Sequence, residues 1–111
     1  MAAGAALIFV TCPDAKVAEG IAKDLVDRHL AACGNVTPAV TSVYRWKGKV
    51  VREREVLLLV KTRRSLVAAC TKAILARHPY ELPEIVAVPI VGGLPPYLRW
   101  VARETKGGRA R

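Results

Sequence analysis

His78-Pro79-Tyr80-Glu81-Leu82-Pro83-Glu84-Ile85 gathers an imidazole, a phenol and two carboxylates around two prolines. Each proline fixes its own φ at about −65° and pushes the residue before it, His78 or Leu82, out of the helical region. The segment therefore reads as a stiff, extended connector between a helix-like run and the apolar run Ile85-Val86-Ala87-Val88. That places potential ligands at the mouth of a sheet. Cys12 closes another strand-like run, and soft thiolate with imidazole favours copper or zinc, whereas Glu81 and Glu84 suit harder ions. His78, Cys12 and Glu84 are the candidate metal ligands. A plainer role competes: His78 at a helix C-terminus complements the helix dipole, and Glu84 bonds backbone or Lys61. The order of strands expected below gives the first and the last strand different central neighbours, so Cys12 and Glu84 need not be adjacent within one subunit.

Catalysis finds little support. No nucleophile sits in a recognisable motif with a base, G-x-x-x-x-G-K-[ST] is absent, and Gly92-Gly93 alone is too weak for a phosphate loop. The reading is a protein that is not an enzyme. Tyr44, Trp46, Tyr97 and Trp100, with Tyr80, supply most aromatic atoms; the first four are assigned to packing at subunit contacts, with a small-molecule cleft between subunits as the sharper alternative. Cys12, Cys33 and Cys70 are odd in number and lack both C-x-x-C and zinc-finger spacing, so they read as reduced thiols, with Cys70 in the core.

These groups need a scaffold, and the periodicity supplies one. Ala5–Thr11 reads as a buried strand. Asp14 caps a helix to about His29, with Val17, Ile21 and Leu25 in one row. Residues 35–46 alternate in strand fashion, with Pro38 at a bulge or an edge. Lys47-Gly48-Lys49 turns the chain back along 50–61, forming a hairpin. Thr62 is the expected cap of a helix over 63–77, with the stripe Leu66, Ala69, Cys70, Ala73, Ile74. A strand at 85–91, the Gly92-Gly93 turn and a short helix from Pro95-Pro96 follow, and Thr105–Arg111 reads as a disordered basic tail. The order β-α-β-β-α-β plus a C-terminal helix is the ferredoxin-like split βαβ plan, an α+β fold with both long helices on one face of a four-stranded antiparallel sheet.

At 111 residues the chain is one domain, 1–111, and 52% hydrophobic with 5% aromatic residues implies an aliphatic core. Hairpin strands of about 12 residues would reach roughly 40 Å at about 3.3 Å per residue, beyond a compact domain about 35 Å across. They overhang their own domain, and a neighbouring subunit continuing the sheet is the economical cover. The net charge of +9 is uneven: residues 1–44 carry three Lys/Arg against four Asp/Glu, and 45–111 carry fifteen against five. A basic half invites an anionic partner, but RNA-binding modules of this topology stack bases on aromatics in their central strands, and Phe9 is the one aromatic in those strands here. Nucleic acid is disfavoured. With no apolar run long enough for a membrane span and no signal-peptide pattern, the expected location is cytoplasmic, or an organelle whose targeting segment is absent here, without a membrane.

Leu30-Ala31-Ala32-Cys33, Asn35-Val36-x-Pro38, Ser42-x-Tyr44-x-Trp46-x-Gly48-Lys49, Glu55-Val56-Leu57, Lys61-Thr62, His78-Pro79-Tyr80, Pro83-Glu84-Ile85 and Tyr97-Leu98-x-Trp100 together resemble the CutA divalent-cation tolerance family, in order over residues 7–101. The resemblance implies a ferredoxin-like homotrimer joined by sheet pairing through the long hairpin, and a link to Cu²⁺ or another divalent cation, with none required for folding. It also implies a first-strand Cys and two adjacent histidines as copper ligands. Here Val10 takes the strand position, with Cys12 two residues on, and His78 stands alone behind Arg77. The hairpin is more basic than the family pattern, with Lys47, Arg52 and Arg54. The rival reading is a trimeric signalling protein like PII, binding small molecules between subunits.

Overall fold

The computed structural model describes residues 4–106. The elements are β1 (Ala5–Cys12), α1 (Ala15–Asp27), β2 (Cys33–Val36), β3 (Val40–Trp46), β4 (Lys49–Arg63), α2 (Val67–Arg77), β5 (Ile85–Ile90) and α3 (Pro95–Glu104), with a 3₁₀ turn at Arg64–Leu66 leading into α2. All strand pairs are antiparallel. The sheet runs β2-β4-β1-β5, and β3 pairs with the other half of β4. This is the α+β ferredoxin-like order expected from the sequence, with the second strand divided in two.

That division has a local cause. Val36 lies opposite Leu58 and Val40 opposite Glu55, so one extra residue is accommodated at Thr37-Pro38-Ala39. Pro38 brings no N–H to the ladder, and a bulge is where a strand tolerates that. Thr37 compensates: its N–H donates to Leu57 O at 2.9 Å and its hydroxyl accepts the Leu57 N–H at 3.1 Å. At the far end Lys47 and Gly48 have φ of 51° and 82° and carry the two-residue turn between Trp46 and Lys49. Positive φ at both central residues gives the backbone twist that closes a tight hairpin, and glycine adopts it without steric cost.

Period-two alternation builds the core. Ile8, Val10 and Cys12 of β1 and Leu58 and Val60 of β4 point to the face carrying α1 and α2, where Ala18, Ile21, Leu25, Cys70, Ala73 and Ile74 meet them. Asp14 caps α1 by accepting the Val17 N–H at 2.9 Å. Thr62 does not cap α2 as the sequence suggested. It is fully buried and donates to Leu30 O at 2.6 Å, tying β4 to the end of the first βα unit. Ala69, expected on the core stripe of α2, is exposed, while Cys70, Ala73 and Ile74 of that stripe are buried.

On the opposite face α3 covers one end, where Val101, Leu98 and Trp100 pack on Ala5, Ala32, Cys33 and Ile90. Thr105 belongs to this packing: it is 1% exposed, its hydroxyl donates to Val101 O at 2.7 Å, and Arg63 Nε donates to that hydroxyl at 3.0 Å. The expected disordered tail therefore starts too early at Thr105, and residues 107–111 lie outside the described region. The rest of that face, with Phe9 and Leu59 half-buried and Val86 and Val88 exposed, has no cover among the described residues.

The overhang is visible in the register. β1 pairs with Val56–Arg63 of β4, while Lys49–Glu55 pair only with β3 and extend past the sheet. The resulting long dimension is 43 Å against 30 and 25 Å for the other two.

Candidate functional site

Where the overhanging hairpin leaves the sheet, the connector after α2 returns beneath it, and the two enclose a cleft of about 600 Å³. One wall is β3 and β4, with Tyr44, Trp46, Glu53 and Glu55; the other is the connector, with Tyr80, Glu81 and Glu84. The connector has the geometry its prolines dictate. His78, before Pro79, ends α2 with ψ of 134°, in extended backbone.

His78 is 9% exposed and both its ring nitrogens are occupied. Nε2 lies 2.8 Å from Thr11 O, a carbonyl that can only accept, so Nε2 carries the proton. Nδ1 is left with the lone pair and accepts the Tyr80 N–H at 3.2 Å. The imidazole is thereby a bracket that fixes the connector to the end of β1 and presents Tyr80. The Tyr80 hydroxyl donates to Glu55 Oε2 at 2.6 Å, and a parallel pair stands further out, where Tyr44 donates to Glu53 Oε1 at 2.6 Å. Burial, then the bond and charge of Glu55, hold the Tyr80 phenol well above its ordinary range. The Tyr44 phenol is pushed up to about 12, chiefly by its bond to Glu53.

The three candidate metal ligands share this end of the molecule without converging. Cys12 is fully buried, and desolvation, with Glu55 and Asp14 nearby, pushes its thiol up to about 11, so it is protonated at neutral pH. Glu84 is exposed on the connector. Among the described residues no three His, Cys, Asp or Glu side chains are grouped so as to hold a metal ion. With the His78 lone pair already engaged by the Tyr80 N–H, Cys12, His78 and Glu84 do not present a ready-made centre within one subunit. The expectation that β1 and the last strand have separate neighbours is also corrected: β1 is central and pairs directly with β5, Val10 opposite Ile85.

Of the four aromatics assigned to subunit contacts, Tyr44 and Trp46 line the cleft, while Tyr97 and Trp100 sit on α3 with ring centroids 5.5 Å apart. Glu55 was missed as a site residue. Its signal was a carboxylate immediately before the apolar run Val56–Val60, a position the structure leaves only 6% exposed.

A mixed sheet-and-helix domain with an antiparallel β2-β4-β1-β5 sheet, an overhanging hairpin and an acidic, aromatic cleft at its root is a ferredoxin-like protein. Comparison with known proteins is more specific. Residues 6–104 match the CutA1 divalent ion tolerance protein family, and the chain belongs to that family. It is 50% identical over 98 residues to mouse protein CutA, covering 88% of this chain and 55% of the relative. Against the divalent-cation tolerance protein CutA of Thermus thermophilus it is 46% identical over 99 residues, covering 89% and 96%. The crystal structure of CutA from Xylella fastidiosa superposes with a TM-score of 0.89 at 45% identity, covering 92% of this chain and 98% of that one. The chain thus spans about half the length of the mouse relative and nearly all of the Thermus one.

The relatives overturn the cytoplasmic expectation. An Arabidopsis thaliana relative, 41% identical, is named chloroplastic, and the Archaeoglobus fulgidus structure, at TM-score 0.89 and 35% identity, is described as periplasmic. The lack of a signal pattern says nothing about a family found in such compartments. Among the described residues no helix is long and apolar enough to cross a membrane. Nothing in the comparisons favours the PII-like alternative.

Proposed function

We propose that the chain works as a non-enzymatic homotrimer in the tolerance of divalent cations, copper among them. The observation that carries the assembly is the uncovered sheet face of Phe9, Leu59, Val86 and Val88 beside a hairpin that overhangs it. An open apolar face and an unpaired β3 edge invite a further strand. A ring of copies meets both needs, because each overhang can extend the next subunit's sheet, and a closed ring leaves no free end. Three is the number the family resemblance implies. Family membership supports the cation role. With the imidazole engaged on both sides, Cu²⁺ would meet the trimer through exposed donors and weakly.

Native mass spectrometry with and without Cu²⁺ tests both halves. Three subunits are expected in both samples, with partial copper loading that His78→Ala leaves unchanged. A monomer would sink the assembly; tight stoichiometric copper lost in His78→Ala would restore the Cys12–His78–Glu84 centre.

A further inference from the structure

Of the three thiols, only Cys33 is open to chemistry. Cys12 and Cys70 are fully buried, burial holds both above the ordinary thiol range, and Cys70 already donates to Leu30 O at 3.2 Å. Cys33 is half-buried on the edge strand β2, directly opposite Lys61 of β4 in the antiparallel ladder. Directly opposed residues of such a pair project to one face of the sheet, with Cβ atoms about 4.5–5.5 Å apart. Sulfur and amine therefore share a neighbourhood, and Lys61 Nζ stands 3.9 Å from Cys33 Sγ. Asn35 holds both, since its Oδ1 accepts from Lys61 Nζ and lies 3.8 Å from Cys33 Sγ. No carboxylate engages the amine: among the described residues the ion pairs join Lys23, Arg28 and Arg77 to acids of α1, and Arg103 to Glu104. Tyr97 of α3 reaches the same sulfur, its phenol raised first by burial and then by the charge of Cys33 and a bond to it.

A reachable sulfur fixed beside an amine has a definite oxidative chemistry. We infer that Cys33 and Lys61 are a peroxide-sensitive pair that closes to a covalent S–N bridge between β2 and β4. In the first step Cys33 Sγ attacks one oxygen of hydrogen peroxide; the O–O bond breaks, a sulfenic acid Sγ–OH forms and water leaves, so the sulfur gives up two electrons and the peroxide takes them. In the second step the neutral Lys61 amine attacks that sulfur; the S–N bond forms, the S–O bond breaks, and the leaving hydroxide takes the amine proton as water. One thiol, one amine and one hydrogen peroxide thus become a sulfenamide and two waters. Backbone nitrogens trap sulfenic acids in this way, and the flexible lysine stem lets Nζ cover the remaining gap without backbone movement. The bridge ties the edge strand to the central strand at the end of the sheet that α3 covers, and leaves the core on the opposite face untouched. Attack by an external thiol on the sulfur reopens it. The chain thereby carries an oxidant-responsive lock that uses neither the cleft nor a metal, and stands on residues of one subunit.

Mass spectrometry of the full chain in its native assembly, treated with hydrogen peroxide, decides it. The intact chain should become lighter by about 2 Da, the two hydrogens lost in the bridge. After alkylation of the remaining thiols and tryptic digestion, residues 29–45 should be joined to residues 55–63, because a bridged Lys61 is no longer a cleavage site. Dithiothreitol should separate the two peptides and return Cys33 to alkylation. Lys61→Arg keeps the positive charge without the amine; there the bridge should be lost and Cys33 should run on to the sulfinic acid, about 32 Da heavier. Should Lys61→Arg fail to fold, Cys33→Ser must show no loss of mass, and the wild-type map carries the decision. A wild-type Cys33 that stays open to alkylation, passes to sulfinic acid unbridged, or forms a disulfide with Cys33 of another copy overturns the proposal. So does the same loss of mass in Lys61→Arg or in Cys33→Ser.

Discussion

Tyr80 and Glu55 show how two residues 25 apart become one unit only through a third. His78 clamps the connector against Thr11 O, and that clamp carries the phenol to the carboxylate. Because the neutral phenol is the form favoured in the fold, Tyr44 and Tyr80 stabilise the protein fully below the ordinary tyrosine pKa of about 10 and lose that contribution as pH rises through their higher native values, about 12 for Tyr44. Urea unfolding from pH 8 to 12 should therefore show stability falling above pH 10, with a shallower fall in Tyr80→Phe. At pH 8 the same variant should be less stable by about 1–3 kcal/mol, since Glu55 Oε2 loses its donor in a buried position. A slope unchanged from wild type would mean the phenol is not held as described. His78→Ala should cost a similar ~1–3 kcal/mol through the orphaned Thr11 carbonyl and Tyr80 amide, a loss readable in the same experiment. The types and stiffness of His78, Tyr80 and Glu84 were legible in the sequence. The engagement of the imidazole was not, because its partner is a backbone carbonyl 67 positions away, and no side-chain pattern advertises that.

At the scale of elements, the alternation of β1 and β4 and the cap at Asp14 stood plainly in the sequence, since each is decided by local periodicity or one hydrogen bond. Boundaries set by long-range bonds did not. Thr62 has the right type for a cap, but Leu30 O lies within its reach and a buried hydroxyl takes the partner that buries it. Gly34 is a second case where the neighbour across space decides. A Cβ there would lie 2.8 Å from Ala22 Cβ and 3.3 Å from Leu58 Cδ1, so β2 and α1 approach as closely as they do only because the side chain is absent. Gly34→Ala should push α1 off the sheet and destabilise the protein by about 1–3 kcal/mol, as overpacking does. A thermal or urea melt of that variant checks it, and a melt indistinguishable from wild type would show that α1 can slide at no cost. Gly20→Ala is the control, because nothing lies within contact distance of a Cβ there and α1 should if anything gain from a better helix former.

For the whole molecule, the two halves of β4 have different duties. Val56–Arg63 is a central strand held by β1 and β2, while Lys49–Glu55 leaves the sheet with β3 as its one partner and carries the cleft's outer wall. A two-stranded ribbon is marginal in water unless something packs on it. Its exposed Val43 and Val50, 65% accessible each, together with the open face around Phe9, identify apolar surface that folding of one subunit does not bury. If the ring of copies buries it, unfolding and dissociation become one process, and stability must depend on protein concentration. Melting curves over a hundredfold range of concentration should then shift upward with concentration and lie above the ordinary range of about 45–65 °C. Breaking the hairpin supplies the complementary arm. Gly48→Val places a β-branched residue at φ of 82°, where it is strained, and should unsettle the turn without touching the core built on β1, α1 and α2. The variant should sediment as smaller species at concentrations where the wild type remains assembled. A wild type that melts at one temperature at every concentration, and a Gly48→Val variant that sediments identically to it, would together show that the overhang is stable alone and that the subunits are held, if at all, by some other surface.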